Sequence, residues 1–204
     1  MFIQVIQGKT SQPDELRTLA ESWQNEGRIG SVGYLGGTHG VTDDGDYLGV
    51  VRFTSREDAM ANSGRPETHA FAEKMGALME GPVQFHDCGD VTEFLDGGSD
   101  DAGFVQIMQG RTSNLARLRE VDAMFEERFP DLRPELLGYI VGVHDDEDGA
   151  FTLTAFFTSE EAARAGEREE PPPEAAELLQ EEMQLMQDVT YVDLREPWLY
   201  SPRP

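Results

Sequence analysis

Two histidines, His39 and His144, close the apolar stretches GYLGGTH from Gly33 and GYIVGVH from Gly138. Imidazole is the side chain whose ordinary pKa lies nearest neutrality, so each could take a proton from a weakly acidic substrate. Groups able to hold the resulting anion are the amides of Gln4 and Gln106, the phenols of Tyr34 and Tyr139, the guanidinium of Arg52 and the ring of His69. Each has a structural role open to it as well. A strand-end histidine can bond an acidic turn, and two buried glutamines can pair across a repeat axis. The tyrosines can be core aromatics, Arg52 half of an ordinary ion pair, and His69, like Asn62, an exposed helical residue.

Other chemistries find no support. The chain has no phosphate-binding glycine loop, no dinucleotide fingerprint and no E-x-x-H pairing among its four histidines. The acidic runs Asp43–Asp46 and Asp145–Gly149 lack the spacing of a calcium loop and read as hairpin turns. Cys88, the one cysteine, can make neither an internal disulfide nor a thiolate zinc site and reads as a small buried hydrophobe. No metal is expected.

An internal repeat sets the elements that must position these residues. FIQVIQGKTS from Phe2 recurs as FVQIMQGRTS from Phe104, an offset of 102. FTSREDA from Phe53 meets FTSEEAA from Phe157, and VQFHD from Val83 meets VTYVD from Val189. Matching GYLGGTH to GYIVGVH at an offset of 105 pairs His39 with His144. Each copy reads as strand, helix, hairpin, short helix, helix, strand. Residues 2–8 alternate, with both faces apolar. Ser11 and Asp14 suggest a capping box before the stripe Leu16, Leu19, Trp23, whose counterpart is Leu118, Val121, Phe125, Phe129. Residues 31–39 and 46–54 form one hairpin, and 137–144 and 150–158 the other. Ser55 and Ser159 cap short helices. The stripes Phe71, Met75, Leu78, Met79 and Leu178, Leu179, Met183, Met186 mark the later helices, ahead of last strands at 83–88 and 189–194. The expected fold is α+β: two ferredoxin-like βαββαβ repeats, 1–95 and 103–199, joined by an acidic Gly/Ser linker at 96–102 and followed by a tail at 200–204. Period two puts the tyrosines on the opposite strand face from the histidines. Glycines beside the histidines leave space that could admit a ligand.

Composition sets outer bounds. Forty acidic against sixteen basic residues give a net charge of −24, shared about equally by the two halves. That charge repels phosphate, so neither nucleic acid nor anionic lipid is an expected partner. No apolar run approaches a membrane span, and no basic flank or signal core precedes Phe2, so a cytoplasmic protein is expected.

The βαββαβ unit, the GYxGG-like second strand, the F-T-S-x-E-x-A segment and Arg65-Pro66-Glu67-Thr68-His69-Ala70-Phe71 resemble the antibiotic-biosynthesis monooxygenase-like domains of the dimeric α+β barrel superfamily. The resemblance implies that the copies pack sheet to sheet as an intramolecular pseudo-dimeric barrel, a monomer able to dimerise further. It also implies a pocket between sheet and helices that takes a small molecule, and no cofactor. The Asn, Trp and His set of the haem-degrading branch does not map onto either copy. The implied activity is that of a cofactor-independent monooxygenase-like enzyme, an oxidoreductase acting on a small aromatic or cyclic metabolite. In it His39, and His144 in the second copy, would accept a phenolic proton. The alternative is a non-catalytic binding or structural module of the same fold. Because Arg52 and His69 occur only in the first copy, that copy is expected to hold the more polar pocket.

Overall fold

The computed structural model describes residues 1–129 and 131–201; of the tail, residues 202–204 lie outside it. The chain divides into two compact units, Met1–Val91 together with the segment from Glu196, and Thr92–Arg195. Each is an antiparallel five-stranded sheet with helices, an α+β unit.

The first unit runs β1 (Phe2–Lys9), α1 (Pro13–Ser22), a π-helical turn (Trp23–Gly27), β2 (Tyr34–Val41), β3 (Asp46–Phe53), α2 (Arg56–Ser63), α3 (Pro66–Ala77) and β4 (Gln84–Cys88). β5 (Asp90–Phe94) follows. The second unit runs β6 (Phe104–Thr112), α4 (Leu115–Arg128), β7 (Leu136–Val143), β8 (Ala150–Phe157), α5 (Glu160–Gly166), α6 (Pro173–Leu185) and β9 (Met186–Leu194), and β10 (Trp198–Tyr200) follows it. The βαββαβ order expected from the sequence is present twice.

Two edge strands were not legible in the sequence. The first sheet has the order β10-β2-β3-β1-β4, and the second β5-β7-β8-β6-β9. Each sheet therefore closes with a strand from the other half of the sequence. Both strands are short and follow the repeat they were assigned to, so periodicity could not say which sheet they join.

Local chemistry explains most element ends. Prolines open α1, α3 and α6, where the missing N–H costs nothing. Ser55 and Ser159 accept from the N–H groups of Asp58 and Ala162, as expected of N-caps. The capping box at Ser11 does not form. Gln12 stands at the N-cap without a side-chain cap, and Thr10 Oγ1 accepts from the Gln12 N–H at 3.0 Å. The second repeat keeps that threonine bond, Asn114 N–H to Thr112 Oγ1 at 3.1 Å, and adds Asn114 as a true cap of α4.

The register between strands fixes how the repeats correspond. Phe2 pairs with Phe53 and Phe104 with Phe157. In β2 the pairing jumps between Tyr34 and Gly36, and in β7 between Leu136 and Gly138. These are the same bulge, 102 residues apart. A Cβ at Gly36, where φ is +130°, would run into the Tyr200 carbonyl; one at Gly138 would run into the Gly97 carbonyl. Gly36→Ala is expected to cost about 1–3 kcal/mol, read as a lower urea midpoint, because backbone atoms cannot yield as side chains do. An unchanged midpoint would mean that β10 shifts freely at this point.

No helix among the described residues is long and apolar enough to cross a membrane.

Candidate functional site

The bulge changes which residues correspond. With Gly36 matched to Gly138, Gly37 stands where the second repeat has Tyr139, His39 where it has Val141, and Thr42 where it has His144. The backbone agrees: Thr42 N–H donates to Asp46 O, and His144 N–H to Ala150 O, each at 2.9 Å. The pairing of His39 with His144 is thus three residues out of register. The extra residue in the bulge also reverses the alternation, so Tyr34 lies on the same face as His39, not opposite it.

His39 is buried against the first sheet, its ring beside Gly37 and Gly49. A Cβ at Gly37 would lie 2.5 Å from Nε2, and one at Gly49 2.7 Å from Nδ1. The space beside the histidine is filled by the imidazole itself. The second repeat reverses each size, with Tyr139, Val141 and Leu153 at the three positions. Nδ1 shares a proton with the Tyr47 hydroxyl at 2.8 Å, and burial raises the pKa of that phenol. Burial, and then the charge of Arg52, lower the His39 pKa to about 4.

The cavity His39 lines is about 50 Å³, walled by Leu16, Trp23, Tyr34, Phe71, Met75 and Trp198 among others. That admits a water or two and no aromatic ligand. Tyr34 accepts from Gln24 Nε2 at 2.6 Å, and Trp23 tilts against Phe71 at 5.2 Å. Arg52 is buried and donates to Ser201 Oγ at 3.4 Å. His69 is exposed on α3 and does not line the cavity. Asn62 is buried, not exposed: it bonds both backbone groups of Val32 and pins the loop before β2. Cys88 is a buried free thiol, as expected.

His39 therefore carries a pH signature. Between its folded pKa of about 4 and the ordinary 6.5, the unfolded chain binds the proton more readily. The contribution is present above pH 6.5 and is lost as pH falls toward 4, by up to about 3 kcal/mol. His39→Val, the residue of the second repeat, is expected to flatten that loss; the difference between the two unfolding-versus-pH curves measures it. Parallel curves would place the acid sensitivity elsewhere.

The glutamines behave alike in both repeats. Gln4 Nε2 donates to Asp87 and Gln106 Nε2 to Asp193, each at 3.0 Å across neighbouring strands. Arg56 and Arg164 bind the far oxygens of the same aspartates. The pairing of the two glutamines with each other is replaced by these in-sheet bonds.

In the second repeat the space between sheet and helices is an open cleft of about 820 Å³. Tyr139, Gln106 and Met108 line its sheet side, Asp122, Phe125 and Glu126 the α4 side, and Leu179, Glu182 and Met183 the α6 side. The more polar pocket is thus in the second repeat, against expectation. The polarity comes from Asp122 and Glu182. Counted along the repeats, Ala20 occupies the place of Asp122, and Met75 that of Glu182 when α3 and α6 are aligned on their opening prolines. In the first repeat both are core.

Asp122 is only 5% exposed, and no hydrogen bond or ion pair holds either carboxylate among the described residues. Burial, and then the charge of Glu182, push the Asp122 pKa up to about 7, with Arg119 opposing. Burial alone takes Glu182 to about 7. Tyr139 stacks on Phe94 at 4.6 Å, and its phenol is raised by burial and by the nearby carboxylates, so it stays protonated as a donor. Sequence reasoning missed this pair, yet a signal was present. Asp122 falls four residues after Leu118, and Glu182 four after Leu178, each inside an apolar helical stripe. His144 does not line the cleft; its Nε2 meets Thr152 Oγ1 at 2.8 Å.

No family model and no curated protein sequence matches the chain. Solved structures do. A protein from Lactobacillus acidophilus and one from Fusobacterium nucleatum, both named as putative monooxygenases, match 98% of this chain with TM-scores of 0.73 and 0.77. They are covered over 99% and 94% of their lengths, at 12% and 11% identity. A protein named as anthrone oxidase-like matches 98% of this chain and 92% of its own, with a TM-score of 0.66 and 13% identity. At such identities the likeness is one of fold. The chain is a tandem pair of βαββαβ units and shares its fold over nearly its whole length with these three solved structures.

Proposed function

We propose that the chain is a cofactor-independent, monooxygenase-like enzyme whose working site is the cleft of the second repeat, with a small aromatic or cyclic metabolite as substrate. The observation that carries this is the unpartnered carboxylate pair, Asp122 and Glu182, facing an aromatic-lined space of about 820 Å³. That volume suits a substrate of two to four rings.

A substrate that reduces dioxygen directly must first lose a proton. A carboxylate with a pKa near 7 is matched to that step at neutral pH. For an anthrone-like ketone, the activated C–H proton passes to the carboxylate and the C–H electron pair stays on the substrate. That pair reduces dioxygen, a C–O bond forms, and the protonated peroxide loses water to leave a carbonyl. Ketone and dioxygen thus give quinone and one water. In this reading the Tyr139 hydroxyl, which lines the cleft from the sheet side, donates to the enolate oxygen. In the first repeat the corresponding space is filled by core side chains, and its part is structural.

The test is oxygen uptake with a panel of anthrones, naphthols and quinols, without added metal or flavin. Turnover of at least one is expected. If none is turned over but some bind, the binding-module reading stands in its place.

A further inference from the structure

We propose that the cleft of the second repeat selects a cationic ligand: an aromatic or polycyclic amine whose rings lie against Phe125, Phe129 and Met183 and whose ammonium meets Asp122 and Glu182. This rests on the reading of that cleft as a small-molecule site, and it names the chemical class the site takes.

Three observations carry it. Asp122 is nine-tenths buried, lines the cleft and lacks a hydrogen-bond or ion-pair partner among the described residues. A buried carboxylate left this way costs stability that an incoming ammonium would recover. Secondly, the described lining holds seven carboxylates against two guanidiniums, Arg133 and Arg164. Both cations are already engaged, Arg133 with Glu135 at 2.5 Å and Arg164 with Glu167 at 2.8 Å and with Asp193. Neither guanidinium of the described lining is left unengaged for an anionic ligand to meet. Thirdly, apolar surface sits beside these charges. Met183 is 72% exposed and Leu179 36%, and both line the cleft, as do Phe125 and Phe129. Apolar walls and carboxylates match an amphiphilic cation. A chain of net charge −24 adds a field that draws cations and repels anions.

The charge of the pair also makes selection depend on pH. Arg119 and Glu126 on α4, Tyr139 on β7, Tyr191 and Asp193 on β9, Arg164 on α5, and Arg133, Glu167, Glu169 and Glu170 on the connecting loops are the other charged or titratable groups at this site among the described residues. Asp122 and Glu182, each near 7, change charge within the neutral range, so the preference for a cation should grow as pH rises through it.

One ring system with three charges provides the test: (9-anthrylmethyl)trimethylammonium, 9-anthracenemethanol and 9-anthracenecarboxylate, each followed by fluorescence anisotropy on the intact chain. The ammonium is expected to bind at least about tenfold more tightly than the alcohol, with the carboxylate weakest. The advantage should widen between about pH 6 and about pH 8 and shrink in Asp122→Asn and in Glu182→Gln. Either variant removes a charge that is buried (Asp122) or half-buried (Glu182), so each should fold, and either alone suffices. Equal or tighter binding of the alcohol would overturn the cation preference while leaving the cleft a ligand site. Failure of all three to bind would overturn both.

Discussion

Asp122→Asn is expected to lower oxygen-dependent turnover by ~100- to 10,000-fold, the range for loss of a general base. The amide keeps the shape of the carboxyl but cannot take the proton. Glu182→Gln should cost part or all of the same factor, since each carboxylate sets the charge around the other. In the parent, the active form is the ionised one, so the rate should rise with pH through about 7 and then level. Stability should move the opposite way. Both carboxyls have folded pKa values raised above the ordinary 3.8 and 4.5. Their contribution is therefore fully present below those values and is lost as pH rises through about 7. Asp122→Asn should accordingly melt higher than the parent at pH 8 while turning over slowly. Parental turnover in that variant, or its loss in His39→Val, would move the base to another group.

Trp198→Ala is expected to destabilise the chain by about 3–5 kcal/mol, among the largest effects a single substitution can have here. Trp198 is 6% exposed and packs in one cluster with Ile6, Leu16, Ala20, Tyr47 and Met75. Its ring lies 6.4 Å from that of Tyr47, which in turn holds His39. Truncation to alanine would join an indole-sized void to the 50 Å³ already present. Urea unfolding followed by far-UV circular dichroism measures this. A loss below about 1 kcal/mol would show that β10 is a dispensable edge.

The architecture was legible because it rests on signals that repeat. Strand alternation, helical stripes, capping serines and the close similarity of residues 2–11 and 104–113 all point to one unit used twice. The site was less legible, and the reason is local. GYLGGTH and GYIVGVH match well as letters, but the bulge glycines Gly36 and Gly138 set the true register. A bulge adds one residue and reverses which side chains face the helices, and letter matching cannot see it. Gln4 and Gln106 were visible as buried amides, yet their aspartate partners lie more than eighty residues away. Asp122 and Glu182 were hidden differently. In a chain with forty acidic residues a carboxylate draws no notice, and only its place in an apolar stripe sets it apart.

β10 has a consequence for how the chain comes into being. A ribosome releases the residues of β1 to β4 long before Trp198 to Tyr200 exist. At ordinary elongation rates the interval between residue 91 and residue 198 is roughly 5 to 20 s. Throughout it the edge of β2 that carries Gly37, Thr38 and His39 has no neighbour to bond, and the indole that completes the core is missing. Such an edge invites pairing with another nascent chain. The first sheet of this protein is thus completed only after the second unit has been translated, and its exposure to misassembly is set by the time that takes.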